Sequence, residues 1–225
     1  MNNISIKELV EFRKKTDTSK RNFVSKLKTN KVEKKLEDSG GDYWISSLSA
    51  IANSFKLNDS QLIINKRDVI IEKLDDTQFK KTLLMYERNI QILNNIENLN
   101  INNLRPKKIN ILTQQKGNAI LHLKEFNIIV RPQYVFSFKN KEIEEVGAIW
   151  FIAKLGGFRE DELGMFTEIL YKYLKTHFSE KFNINPKYCI AVDVVNSFKI
   201  NYSQLKSAEI EKLLMPTLNQ IKKLL

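Results

Sequence analysis

The chain has 225 residues, enough for one domain or two small ones. Its 42% hydrophobic and 28% charged residues exclude a chain that is disordered throughout. A single cysteine, Cys189, excludes an internal disulfide, and the net charge of +11 favours an anionic partner, nucleic acid before an anionic membrane surface.

No charged-then-apolar leader opens the sequence, and no apolar run approaches the ~20 residues of a membrane span. The expectation is a cytoplasmic protein that does not enter a membrane. Residues 4–37 read as helical and basic, with Leu9, Phe12, Phe23, Val24, Leu27, Val32 and Leu36 at spacings of three or four. Residues 1–41 hold eleven basic and six acidic side chains. Such a segment can lie along phosphates or present a solvated face. Two glycines in Ser39-Gly40-Gly41-Asp42 stop this region, and Asp42 is placed to cap the next helix. That helix, from Tyr43, carries small residues on one side. A shorter helix follows over 60–74. Asp75-Asp76-Thr77 then starts a helix over 76–94, with Phe79, Leu83, Tyr86, Ile90 and Leu93 as a narrow apolar seam. An Asn-rich connection over 94–103 leads to Pro106.

From residue 107 the period changes to two. Strands are predicted around Ile109–Ile111, Ala119–Lys124 and Ile128–Phe138, with a turn at Lys116-Gly117-Asn118 and Pro132 at a strand start, edge or bulge. Residues 145–154 are apolar on both faces, as an inner strand covered on both sides requires. Trp150 is expected inside the sheet–helix core. Gly156-Gly157 ends this strand, and Glu160-Asp161-Glu162 opens a helix over 160–178. A buried strand over 187–194, a strand with Phe198, Ile200 and Tyr202, and a closing helix kinked or split by Pro216 complete the chain. The fold class is α+β or α/β. A helical, basic region (1–75) precedes a mixed-sheet core with a C-terminal helix (76–225).

Several chemistries find no residues. The two histidines, His122 and His177, have no cysteine partners for a zinc cluster, and no glycine pattern makes a phosphate-binding loop or a nucleophile elbow. The order helix, three strands, helix, strand resembles the core of the PD-(D/E)XK, or restriction-endonuclease-like, superfamily. The matching stretches are Val130-Arg131-Pro132-Gln133-Tyr134-Val135 and Gly147-Ala148-Ile149-Trp150, in a hydrophobic context similar to RecB-like members. The resemblance covers about residues 80–202. The phrases Asp42-Tyr43-Trp44, Leu163-Gly164-Met165-Phe166 and Tyr188-Cys189-Ile190-Ala191-Val192-Asp193 also look similar to small bacterial proteins with such a core, a likeness that implies no activity.

The resemblance implies a carboxylate near the second core strand and a Glu-x-Lys on the third, which together hold a divalent metal for phosphodiester cleavage. Here those positions are Gln133, Ala148 and Trp150, so the motif is degenerate. Glu144, Glu145, Lys154 and Asp193 are the candidates for a relocated catalytic site, and magnesium or manganese is expected only in that case. Arg131, Lys139, Lys141 and Lys154 are the candidates for nucleic-acid contact. Three readings follow: a nucleic-acid-binding or assembly module without cleavage, an active metal-dependent nuclease with relocated carboxylates, and a protein-interaction subunit of a phage-defence or mobile-element system.

Overall fold

A computed structural model describes residues 3–28, 41–113 and 119–225. Two sheets organise it. The larger has the order β2-β5-β6-β7-β8, from β2 (Asn110–Leu112), β5 (Tyr134–Asn140), β6 (Ile143–Ile152), β7 (Asn183–Asp193) and β8 (Phe198–Asn201). β2, β5 and β6 run antiparallel in turn, β7 is parallel to β6, and β8 is antiparallel to β7. A parallel neighbour needs a crossover, and α6 (Glu160–Phe178) supplies it. The smaller sheet is β1 (Ile4–Ser5), β4 (Phe126–Ile129) and β3 (Ile120–Leu123), in the order β1-β4-β3. The chain is an α+β fold with mixed sheets.

The inner position of β6 follows from its two apolar faces. On one, Ala148 and Ile152 join Val135, Cys189 and Ala191 against α6 and the small sheet, with α1 (Ile6–Lys14), α2 (Asp17–Lys28) and α8 (Leu214–Leu224) completing that layer. On the other, Ile149 and Phe151 join Phe136, Ile190 and Val192 against α3 (Gly41–Leu57), α4 (Gln61–Asp75) and α5 (Lys80–Leu99). Phe55 of α3 sits at the centre of that face, with ring centroids 5.5 Å from Phe136 and 5.9 Å from Phe151. Helices therefore cover both sides of the large sheet, and the basic N-terminal helices share a core with it.

Several boundaries differ from the sequence reading. Gly41 begins α3, while Ser39, Gly40, the Asp42 side chain and the turn Lys116–Asn118 fall outside the described residues. Asp75 closes α4 and does not open α5, which starts at Lys80 after a Phe79 that is 78% exposed. α5 runs on to Leu99 because buried Ile96 continues its apolar seam, so the Asn-rich break shrinks to Asn100, which takes a left-handed conformation at φ 48°. β8 stops at Asn201, whose side chain accepts a hydrogen bond from the Ser203 amide and starts α7 (Tyr202–Lys206), so Tyr202 is helical. Pro216 lies in the first turn of α8, where its missing N–H costs no hydrogen bond, and the helix begins only at Leu214. Trp150 is half-buried, not enclosed. Its ring meets Phe166 edge-on at 5.3 Å, between the sheet and α6.

Gly147 marks a register shift in the β6–β7 pairing. A Cβ there would stand 2.6 Å from the Tyr188 Cβ and 2.7 Å from the Tyr188 carbonyl oxygen, so the strands approach too closely for any side chain. No helix among the described residues is long and apolar enough to cross a membrane.

Candidate functional site

Pro132 has no amide hydrogen to continue the sheet, and β5 begins two residues later. Gln133 spans that gap. Its backbone amide donates to the Ile149 carbonyl at 3.1 Å. Its side chain then acts as a further backbone unit: Oε1 accepts from the Phe151 amide at 2.8 Å and Nε2 donates to the Phe151 carbonyl at 2.9 Å. Both ends of the amide are thus engaged with β6. Ala148 is fully buried, opposite Val135 on one side and Cys189 on the other. Together with Trp150, the three positions where the resemblance leads one to expect ligands pack and pair within the fold.

The relocated-site candidates lie apart. Asp193 is buried, and its carboxylate accepts three backbone amides: Phe158 at 2.7 Å, Val195 at 2.9 Å and Asn196 at 3.3 Å. These bonds join the loop after β6 to the loop after β7. Gly157 (φ +68°) passes beside the same carboxylate, where a Cβ would come 2.6 Å from Asp193 Oδ2. Glu145 accepts from Asn185 at 2.6 Å and from Asn140 at 3.3 Å, near the β5–β6 hairpin, and its neighbour Glu144 is exposed. Glu145 pairs with Phe138, whereas Asp193 pairs with Ile152, seven residues further along β6. At roughly 3.3 Å per residue the two carboxylates stand about 20 Å apart. Among the described residues, no three His, Cys, Asp or Glu side chains converge as a metal site.

Lys154 is held by Glu11 of α1, Nζ to Oε1, at 2.6 Å, and its ammonium lies 5.3 Å from the Phe158 ring. The Lys154 hydrogen bond, outweighing desolvation, holds the Glu11 carboxyl below its usual range. One turn on, Lys14 reaches buried Glu162 at the start of α6 at 2.8 Å, which raises the Lys14 ammonium. Arg159 pairs with Asp161 at 3.0 Å and approaches Glu162 at 3.7 Å. Acids and bases alternate through this network, which clips α1 to the end of β6. Glu11, Lys14 and Glu162 form a unit that the local sequence pattern does not reveal. The only local signal was Glu162 in the first turn of α6, and nothing in the pattern showed that α1 packs there.

The four candidate phosphate contacts separate into two pairs. Arg131 is exposed just before β5 and shares the end of the sheet where β6 finishes and Lys154 follows. Lys139 and Lys141 stand at the opposite hairpin end, where Lys139 pairs with Glu142 at 3.0 Å and Lys141 takes φ 55° in the turn. Most of β5, roughly 20 Å at the rise of an extended strand, lies between the pairs.

Of the remaining reactive side chains, Cys189 is buried, and desolvation pushes its thiol far above the usual range, which leaves it protonated and inert. His122 bonds Asn127 at 2.8 Å, and His177 lies against the Tyr173 ring at 4.8 Å. An open groove of about 730 Å³ runs between α3 and α4, with Ile45 (54% exposed) and Val69 (41% exposed) on its rim. No protein-family model, curated protein or solved structure matches the chain.

Proposed function

We propose that the chain is a nucleic-acid-binding or assembly module on a nuclease-like αβββαβ frame, working by association and not by phosphodiester cleavage. The observation that carries the reading is the double hydrogen bond from the Gln133 side chain to Phe151. Where the resembled superfamily keeps a metal-binding carboxylate, this chain has an amide committed to the sheet. The connectivity α5, β2, β5, β6, α6, β7 agrees with the resembled order once the β3–β4 hairpin is taken as an insertion. The net charge of +11 suits a polyanion.

The test is a binding titration on duplex DNA and on RNA across salt, run beside a plasmid-nicking assay with magnesium and manganese. Affinity should fall with salt at a log–log slope near −0.9 for each duplex phosphate neutralised. No nicking should follow metal addition. Absence of binding at low salt would remove the nucleic-acid reading. Metal-dependent nicking abolished by Glu145→Ala would replace it with the relocated-site nuclease.

The α3–α4 groove, with its exposed Ile45 and Val69, supports a second reading: a subunit of a protein assembly whose basic surface is solubilising. Salt-insensitive behaviour toward DNA and RNA, with no binding at any ionic strength, would favour it.

A further inference from the structure

α1 and α2 enclose a pocket of about 340 Å³ on the outside of the core, at the small end of the range for small-molecule sites. Helical spacing explains its lining. Lys7 and Glu11 are four apart on α1, with Lys15 just past its end, while Phe23, Lys26 and Leu27 are three and four apart on α2. The pocket thus sets Lys7 and Lys15 on the α1 side against half-buried Phe23 and buried Leu27 on α2, where Lys26 also lines it.

Both acids in the lining have other work. Glu8 accepts from the Ser5 amide at 2.8 Å and from the Ser5 hydroxyl at 2.9 Å, as the capping box of α1. Glu11 is bonded to Lys154 at 2.6 Å, and its attraction to Lys15 is longer-ranged. Neither Lys7 nor Lys15 forms a salt bridge among the described residues. The surroundings deepen the imbalance, since residues 3–28 hold eight basic side chains against three acidic ones, an excess of five.

We propose that this pocket binds a phosphate group, carried by a free nucleotide or by a nucleic-acid strand, with Lys7 and Lys15 on the phosphate and the Phe23–Leu27 wall beside the attached sugar or base. Two ammonium groups supply point charges for the anion, and the apolar wall covers a flat neighbour. Solvent reaches Lys7, yet enough protein surrounds its ammonium that burial lowers it from the usual lysine range. An anion in the pocket would relieve that cost. The site is separate from the sheet-end positions above and does not require that a strand bind there.

The test is isothermal titration of the full chain with adenosine 5′-monophosphate, adenosine and inorganic phosphate, repeated on a K7Q/K15Q variant and on K80Q/K81Q, a pair exposed at the start of α5. Circular dichroism and thermal melting establish that each variant folds. The monophosphate should bind at least about tenfold more tightly than adenosine, because a single charge-assisted hydrogen bond to the phosphate is worth that much or more. K7Q/K15Q should lose this preference, K7R/K15R should keep most of it, and K80Q/K81Q should leave it unchanged. No monophosphate binding by the folded wild type, or binding untouched in K7Q/K15Q, overturns the proposal.

A parallel titration with a single-stranded oligonucleotide separates the two sources. A joint fall in oligonucleotide and monophosphate affinity in K7Q/K15Q supports a strand phosphate. Loss of the monophosphate alone supports a free nucleotide. Oligonucleotide binding without any monophosphate binding overturns the pocket while the function proposed above stands.

Discussion

Gln133 and Phe151 are joined as if Gln133 contributed two backbone units to the sheet. Its amide nitrogen and oxygen take the Phe151 carbonyl and amide at 2.9 and 2.8 Å, next to the backbone bond from Gln133 to Ile149 at 3.1 Å. The side chain finishes an edge that Pro132 leaves open. Gln133→Glu keeps the length but removes the donor and aims a carboxylate oxygen at a carbonyl. The expected loss at neutral pH is about 1–3 kcal/mol, the cost of an unsatisfied buried group. Repulsion from the carbonyl raises the introduced carboxyl above the ordinary glutamate value in the folded state only. Stability is then retained at low pH and lost as pH rises through the raised value. Melting from pH 4 to pH 8 checks this. The substitution is also expected to leave magnesium-dependent nicking at background.

Asp193 follows the same logic with a charge. Its three amide donors hold two loops together, so Asp193→Ala leaves those amides without their acceptor. A loss of about 3 kcal/mol is expected, with Asp193→Asn less severe because one oxygen remains. Urea unfolding of both variants measures the difference. Equal stability in Asp193→Ala and wild type would free this carboxylate for a metal-binding role.

Trp150 contributes packing on one side only. A fully buried tryptophan costs about 3–5 kcal/mol on truncation, but Trp150 is half-buried and its principal ring partner is Phe166. Trp150→Ala should therefore cost about 2 kcal/mol, with Trp150→Phe recovering most of it through the retained edge-to-face pair. Thermal melting reads both. An unchanged melting temperature in Trp150→Ala would make the ring available for base stacking.

Glu168 is a buried carboxyl on α6. One oxygen lies 3.7 Å from the Lys172 ammonium, and Oε2 has no hydrogen-bond partner among the described residues. Desolvation, set against the attraction of Lys172, raises it above the ordinary glutamate value. The folded state thus keeps its proton to a higher pH than the unfolded chain. Stability is complete below the unfolded value and falls as pH rises toward the folded one. Glu168→Gln removes the ionisation and should raise the melting temperature at pH 7 by about 2–4 °C, the shift that ~1 kcal/mol gives at this size. Little change is expected at pH 4.

The sequence alone determined where apolar surface must be hidden. Residues 145–154 are apolar at odd and even positions, and no edge or one-sided strand could accommodate that, so β6 had to be internal. The seam of α6, the strand ending before Gly156-Gly157 and the change from helical to strand period near residue 107 were legible for the same reason: periodicity and turn chemistry are local. The pairing of distant chain segments was not local. Only the tertiary structure set α1 against the end of β6, joined Glu11 to Lys154 across 143 positions, and put Gln133 at a gap in the ladder that its own amide closes. It also brought Lys154 to the Arg131 end of the sheet, because that depends on how β5 pairs with β6. A side chain's chemistry is written in its residue, whereas its availability depends on which distant donors and acceptors the fold brings to it.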